Sequence, residues 1–160
     1  MERSPPTLQL RAARPADAGK VAACYLASRK STLAFAPMAR SDADVEAWVR
    51  DELIAQQHVT VAVESGGVVG FIAVRPRGDG DWIEHLYVHP ARWRRGVGST
   101  LLHVALMRLE GSVRLHTFEE NRVGRKFFER YGFAPLAFGD GSNNESGAPD
   151  VLYERAGAQR

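Results

Sequence analysis

One stretch, from Trp82 to Leu109, constrains the fold of this chain more than any other. Its first part, Trp82 to Val88, is rich in aromatic and aliphatic residues and predicts a strand, which Pro90 stops. Its last part, Val97 to Leu109, carries apolar residues at helical spacing and predicts an amphipathic helix. A strand that leads through one short turn into a helix is typical of a domain whose helices cover a β-sheet.

The remaining apolar runs and turn residues predict the element order β-α-α-β-β-β-α-β-α-β-β. The predicted strands are Leu8–Arg11, His58–Glu64, Val68–Arg75, Trp82–Val88, Val113–Phe118, Phe133–Phe138 and Val151–Glu154. The predicted helices run from Pro15 to about Ser28, from Ser41 or Asp42 onward, from Val97 to Leu109 and from Asn121 to Tyr131. We expect an α/β (α+β) fold, a mixed sheet of about seven strands with helices on both faces, as one domain over residues 1–160.

Composition and charge narrow the possible functions. With 44% hydrophobic and 25% charged residues among 160, the chain can fill one ordinary core. A net charge of +2 is too balanced for a protein that binds nucleic acid through a basic stripe. Apolar runs are too short to span a bilayer, and Met1 to Pro15 lacks the apolar part of a signal peptide. A single cysteine, Cys24, favours a reducing cytoplasm, and the arginine- and alanine-rich composition suggests a bacterial source.

The turn between the central strand and helix has the chemistry of an anion site. Free N–H groups at a helix start attract anions, and Gly96 and Gly98 let a ligand approach the backbone. Three arginines, Arg92, Arg94 and Arg95, add positive charge. The turn therefore predicts a pyrophosphate cradle, although it matches neither a Walker loop nor the dinucleotide fingerprint. The alternative is an ordinary strand-to-helix turn with a solvated arginine cluster.

Two motifs make the chain resemble the GNAT superfamily of acetyl-CoA-dependent N-acetyltransferases. The first is a strand ending in Val-x-Pro, followed by Arg/Gln-x-x-Gly-x-Gly/Ala at a helix start, and it is similar to Val88–Pro90 and Trp93–Gly98. The second, Asn-x-x-Ala-x-x-Phe-Tyr-Glu-x-x-Gly-Phe, is similar to Asn121–Phe133. The separation of the motifs and the predicted element order also resemble those of the family.

The resemblance implies a GNAT fold and an enzyme that moves acetyl from acetyl-CoA to an amine of a small molecule or peptide, by direct attack in a ternary complex. It implies that Val88 bonds the pantetheine amides through its backbone and that Asn121 hydrogen-bonds to the pantetheine arm. The alternative for Asn121 is a plain helix N-cap, and both roles can hold at once. The cofactor contacts so implied are Val88, Arg94, Arg95, Gly96, Val97, Gly98, Ser99, Asn121 and Phe128. No metal is implied, and His85 and His89 lack a third ligand.

Two residues depart from the family pattern. Trp93 replaces the first Arg or Gln of the pyrophosphate motif, where backbone amides do most of the binding. Phe128 replaces the tyrosine that in many members protonates the departing thiolate, and a phenyl ring has no proton to donate. A non-catalytic acyl-CoA-binding or regulatory module is therefore the alternative to an enzyme.

Glu84 is the candidate general base. It lies four residues before Val88, so simple alternation along a strand places both side chains on one face. The resemblance implies a carboxylate or histidine in this region that deprotonates the amine. A solvated glutamate near the start of the strand is the alternative.

The polar loop from Gly139 to Pro149 joins the last two predicted strands. The resemblance implies that this loop lies over the mouth of the acceptor site. Asn144 and Glu145 are candidates to bind an acceptor ammonium, with a solvated loop as the alternative. The sequence leaves the acceptor open, and a homodimer is common among the proteins that the chain resembles.

Overall fold

The computed structural model describes residues 7–32, 36–38 and 40–157. In this part of the chain, seven strands form one mixed sheet in the order β1-β2-β3-β4-β5-β7-β6. The strands are β1 (Gln9–Ala12), β2 (His58–Glu64), β3 (Gly67–Arg77), β4 (Gly80–Val88), β5 (Val113–Phe118), β6 (Ala134–Gly139) and β7 (Asp150–Arg155). The predicted fold class is confirmed. A single domain over residues 1–160 stays a prediction.

Helices connect the strands in the predicted order. They are α1 (Ala18–Arg29), α2 (Asp42–Trp48), α3 (Val97–Met107) and α4 (Arg122–Arg130). The Ser41 hydroxyl caps α2 by accepting from the backbone N–H of Asp44 at 3.3 Å, as its type predicts. A wider π-type segment, Val49–Ile54, continues α2 and was not predicted. Among the described residues, every helix falls short of the length and hydrophobicity that crossing a bilayer requires.

The sheet has a separate apolar core on each face. Helices α1 and α2 cover one face, where Val21 and Leu53 pack with Val61 and Phe71. Helices α3 and α4 cover the other face, where the fully buried residues include Leu101, Leu102, Ile72 and Leu115. Each such side chain stabilises the fold by roughly 1.5–3 kcal/mol relative to an exposed one. The two cores hold the helices firmly against the central strands.

Gly70 of β3 permits a close approach of α3 to the sheet. A Cβ atom there would lie 3.0 Å from Val97 Cγ1, 3.1 Å from Leu101 Cδ1 and 3.1 Å from the Tyr87 carbonyl oxygen. These distances are shorter than ordinary Cβ contacts, so a side chain at position 70 would force its neighbours to move by a few tenths of an ångström. The start of α3 consequently rests beside the end of β4.

Strands β4 and β5 diverge, and this divergence creates an opening in the middle of the sheet. Their parallel pairing covers only Asp81 to Ile83 of β4, opposite Val113 to Leu115 of β5. Both strands continue well beyond those pairs. The N–H of His89 donates to the Val69 carbonyl at 2.8 Å, so the amide of Val88, one residue earlier, faces away from β3 and into the opening.

Candidate active site

The first part of the site is the start of α3, at one end of the opening. Gly96 precedes the helix with a φ of +81°, and Arg94 has a φ of +63°. The first helical bond runs from the Thr100 N–H to the Gly96 carbonyl at 2.9 Å. The N–H groups of the three intervening residues therefore have no helical acceptor and point away from the helix, as an anion site requires. They belong to Val97, Gly98 and Ser99.

The protein leaves enough room at Gly98 for a Cβ atom, so packing does not require glycine there. A Cβ atom there would lie 3.5 Å from Val88 Cγ2 and 3.7 Å from the Phe127 ring, which are ordinary contact distances. A side chain at Gly96 would meet nothing, but the left-handed backbone at that position would strain it. Gly98 thus fits a position where a ligand, rather than the fold, excludes a side chain.

Trp93 covers the end of β4, a contact that sequence reasoning missed. Its indole Nε1 donates to the Val88 carbonyl oxygen at 2.7 Å. The carbonyl belongs to the residue whose backbone was expected to bond pantetheine amides. A carbonyl oxygen accepts two hydrogen bonds, so this contact leaves one acceptor position. The signal in the sequence is an indole donor five residues after the end of a strand.

Asn121 caps α4. Its Oδ1 accepts from the Gly124 N–H at 3.1 Å, while Nδ2 keeps its two donor hydrogens. Gly124 stands where the family motif has alanine, and a Cβ atom there would lie only 2.5 Å from the Asn121 Nδ2. Glycine at position 124 is what allows the asparagine side chain to fold over the helix start. The predicted contact of Asn121 with pantetheine stays a prediction.

Phe128 belongs to the core between the sheet and α4. Only 9% of its surface is exposed, and its ring centroid lies 5.3 Å from that of Phe127 and 5.8 Å from that of Phe133. Aromatic edge-to-face packing of this kind holds the ring in place. Its predicted place along the pantetheine arm is untested, and its side chain contributes packing rather than a proton.

Glu84 lies at the base of the opening but not on the predicted face. Ala73 pairs with His85 and Val74 pairs with Ile83, so Glu84 is the extra residue of a β-bulge. The bulge interrupts the alternation that placed Glu84 on the face of Val88, and that step of the sequence argument is wrong. Ile83 and Leu86, three residues apart, both pack on the α3 face.

The carboxylate of Glu84 has a cationic neighbour. An oxygen of Glu84 forms an ion pair with the Arg77 guanidinium, and the Glu84 side chain is 22% exposed. Arg77 in turn lies over the Trp82 ring, 4.6 Å from its centroid. The ion pair orients Glu84 just beyond Ile83, the last residue of β4 that pairs with β5.

Four side chains form an aromatic wall on the α1 and α2 side of the opening, and they are Tyr25, Trp48, His85 and Tyr87. Tyr25 contacts Tyr87 at 5.0 Å and Trp48 contacts His85 at 5.1 Å between ring centroids. All four keep part of their surface exposed. Burial, with a smaller contribution from Arg40, lowers the pKa of His85 to about 4, so its imidazole is neutral near pH 7. Its position beside the opening was not foreseen.

The two predicted acceptor residues make contacts within the protein. The Asn144 Nδ2 donates to the Ala148 carbonyl at 2.8 Å and to Asp150 Oδ2 at 3.1 Å. The Glu145 carboxylate pairs with Arg40 at 3.0 Å. Asn144 Oδ1 is buried with no hydrogen-bond partner among the described residues. The loop is therefore bonded to Asp150 at the start of β7 and to Arg40, which precedes α2. The predicted role of Asn144 and Glu145 in binding the acceptor stays a prediction.

Comparison with known proteins identifies the family. A family model described as an acetyltransferase (GNAT) domain matches residues 55–135. An uncharacterized N-acetyltransferase of Escherichia coli (strain K12), YafP, is 30% identical over 132 residues, which cover 79% of this chain and 81% of the relative. The chain belongs to the GNAT acetyltransferase family. It is accordingly an acyltransferase, and the resemblance noted in the two motifs is confirmed.

Solved structures share the fold of this GNAT chain. The PaiA N-acetyltransferase of Thermoplasma acidophilum, determined with coenzyme A, is 20% identical with a TM-score of 0.72, and the match covers 94% of this chain and 99% of that one. The ribosomal-protein-S18-alanine N-acetyltransferase of Escherichia coli is 15% identical with a TM-score of 0.72, covering 96% of each chain. At such identities the likeness concerns the fold alone.

Proposed function

We propose that this GNAT acetyltransferase transfers the acetyl group of acetyl-CoA to a primary amine by direct attack in a ternary complex. The observation that carries the proposal is the opening between β4 and β5, with the free amides of α3 at its end. An elongated thioester with a pyrophosphate fits such a groove, because its charged and uncharged parts each meet complementary groups.

The cofactor is proposed to lie along the free edge of β4. The pyrophosphate binds the N–H groups of Val97, Gly98 and Ser99, with Arg94 and Arg95 adding charge. The backbone of Val88 bonds the pantetheine amides, and Asn121 Nδ2 donates to the same arm. The coenzyme A bound to the related Thermoplasma fold supports this choice of ligand.

The reaction requires one proton transfer from the amine and one to the sulfur. The amine nitrogen attacks the thioester carbonyl carbon, forming a C–N bond as the C–S bond breaks. Glu84, at the base of the opening, first accepts one proton from the ammonium form of the acceptor, which frees the nitrogen lone pair for attack. The nitrogen releases a second proton as the amide forms, and the coenzyme thiolate takes it directly or through water, because Phe128 offers none. Backbone N–H groups of β4 near Val88 stabilise the negative charge on the carbonyl oxygen.

A non-catalytic acyl-CoA-binding module is the second candidate, favoured by Phe128 alone. A panel of amines incubated with the protein and acetyl-CoA, with release of the thiol as the readout, separates the two. An enzyme releases coenzyme A faster with a suitable amine and yields an amide of matching mass. Acetyl-CoA binding without turnover on any amine in the panel, together with unchanged acetyl-CoA hydrolysis in Glu84→Gln, would support the module.

Acetyl-CoA should raise the melting temperature of the protein by several degrees. A ligand at 100 times its dissociation constant adds about 2.7 kcal/mol to the free energy of unfolding. We expect the shift in thermal denaturation with acetyl-CoA and not with NAD or ATP at the same concentration. An equal shift with ATP would show that the cradle recognises phosphates without the pantetheine arm.

Phe128→Tyr should raise turnover by less than about tenfold. The substitution restores a hydroxyl at the position where many GNAT members carry their acid, but a thiolate leaves without much assistance. Thiol release at saturating acetyl-CoA measures the change. Tyr131→Phe, which removes a hydroxyl three residues away on α4's end, serves as the control and should leave turnover unchanged. A gain of several orders of magnitude in Phe128→Tyr would mean that thiolate protonation limits the rate.

A further inference from the structure

We infer that the amine acceptor of this enzyme carries a carboxylate, which Arg40 binds, and an apolar body that lies against the aromatic wall. The inference rests on the proposed function and narrows the class of its acceptor. The first observation is the position of Arg40, which precedes α2 and lies against the Trp48 side of the aromatic wall. Its guanidinium lies over the Trp48 ring, 4.8 Å from the centroid.

The aromatic wall connects Arg40 to the reacting end of the site. Trp48 contacts His85, and Tyr25 contacts Tyr87. Both His85 and Tyr87 belong to the part of β4 that no longer pairs with β5. An acceptor whose amine reaches the thioester at β4 therefore passes along this wall. Its body meets ring faces and edges, which favour flat or apolar groups over hydrated ones.

The charges around the wall favour an anionic group on the acceptor. Arg40 lies over the Trp48 ring and is close enough to His85 to contribute to lowering the pKa of that imidazole. Glu145 is the carboxylate that the structure places on Arg40, and its side chain is 63% exposed. A guanidinium binds a carboxylate with two parallel hydrogen bonds, so Arg40 can exchange this exposed partner for the acceptor's carboxylate.

The same charges disfavour a polyamine. A second ammonium on the acceptor would meet the guanidinium of Arg40, and a neutral imidazole at His85 offers it no compensating charge. An acceptor with one amine and one carboxylate avoids this repulsion and gives Arg40 an anionic partner.

Matched pairs of amines test the inference. The pairs are L-phenylalanine with phenethylamine, and 4-(aminomethyl)benzoate with benzylamine, which place the carboxylate near to and far from the amine. At saturating acetyl-CoA we expect kcat/KM to be about 10- to 100-fold higher for the carboxylated member of at least one pair. Preference for the decarboxylated member in both pairs would overturn the inference. Turnover of spermidine with none of the four compounds acetylated would overturn it too, while leaving the proposed acetyl transfer intact.

Substitutions of two oppositely charged residues show whether Arg40 binds the acceptor or only holds the Gly139–Pro149 loop in place. Arg40→Gln should lower kcat/KM far more for the carboxylated amine than for its decarboxylated partner, and so remove the preference. Glu145→Gln should free Arg40 and increase the preference by about two- to fivefold. The control is Arg50→Gln, which removes an arginine paired with Asp51 outside the wall and should change neither value. Equal losses on both members of a pair in Arg40→Gln and Glu145→Gln would mean that the ion pair only holds the loop, and the inference would fail.

Discussion

Glu84→Gln should lower kcat by about 10²- to 10⁴-fold and leave the affinity for acetyl-CoA unchanged. A protonated ammonium has no lone pair with which to attack the thioester, so the loss of its proton acceptor slows the step whatever the leaving group. Glutamine keeps the size and the hydrogen-bonding capacity of the side chain but cannot accept that proton. Steady-state kinetics by thiol release, with cofactor binding measured separately, check both parts.

Two comparisons separate this role from the ion pair that Glu84 makes. Arg77→Gln breaks the same pair but keeps the carboxylate, so it should retain far more activity than Glu84→Gln. Glu154→Gln removes another ion pair, with Arg114 at 2.7 Å, two strands away from β4, and should have no effect on kcat. Equal losses in Glu84→Gln and Arg77→Gln would reduce Glu84 to a structural partner of Arg77.

Gly98→Asp should weaken acetyl-CoA binding by about 100-fold or more, without lowering the melting temperature of the free protein. The protein leaves room for a Cβ atom at Gly98, so the fold tolerates a side chain there. A carboxylate placed among the α3 amides would compete for them and repel the pyrophosphate. Isothermal titration with acetyl-CoA measures the loss, and thermal denaturation without ligand confirms the fold.

Gly78→Asp is the matched control for that experiment. Gly78 lies in the turn between β3 and β4, and a Cβ atom there would meet nothing within 4 Å. The substitution adds the same charge to the same protein, away from the start of α3. If Gly98→Asp binds acetyl-CoA as tightly as Gly78→Asp does, the pyrophosphate lies elsewhere.

The order of helices and strands could be predicted from sequence because its signals are local. Strand β5 and strand β2 begin and end at the predicted residues, since each is a β-rich run bounded by turn residues. The start of α3 was also predictable, because Gly96 and Gly98 mark a strand-to-helix turn whatever else surrounds them. The proposed pyrophosphate cradle needs only backbone amides, and their position follows from the helix itself.

The side-chain geometry of the site depends on contacts between distant parts of the chain. The bulge at Glu84 arises from how β3 pairs with β4, and a single strand read alone shows only its alternation. Arg40 and Glu145 are 105 residues apart, so their ion pair has no sequence signal. The aromatic wall likewise draws Tyr25 and Trp48 from two helices onto β4. Under the proposed function, these contacts decide which acceptor groups the site can meet.

Because Cys24 of α1 is buried, the folded protein reacts very slowly with thiol reagents. It is the single cysteine of the chain, it is 1% exposed, and burial raises the pKa of its thiol to about 12. The reactive species is the thiolate, which this environment suppresses. A chromogenic thiol reagent added to the native enzyme therefore reports coenzyme A rather than the protein. The slow rate at which the reagent labels Cys24 then measures how often α1 separates from the sheet. The same residue thus reports the opening of the helix that carries Tyr25.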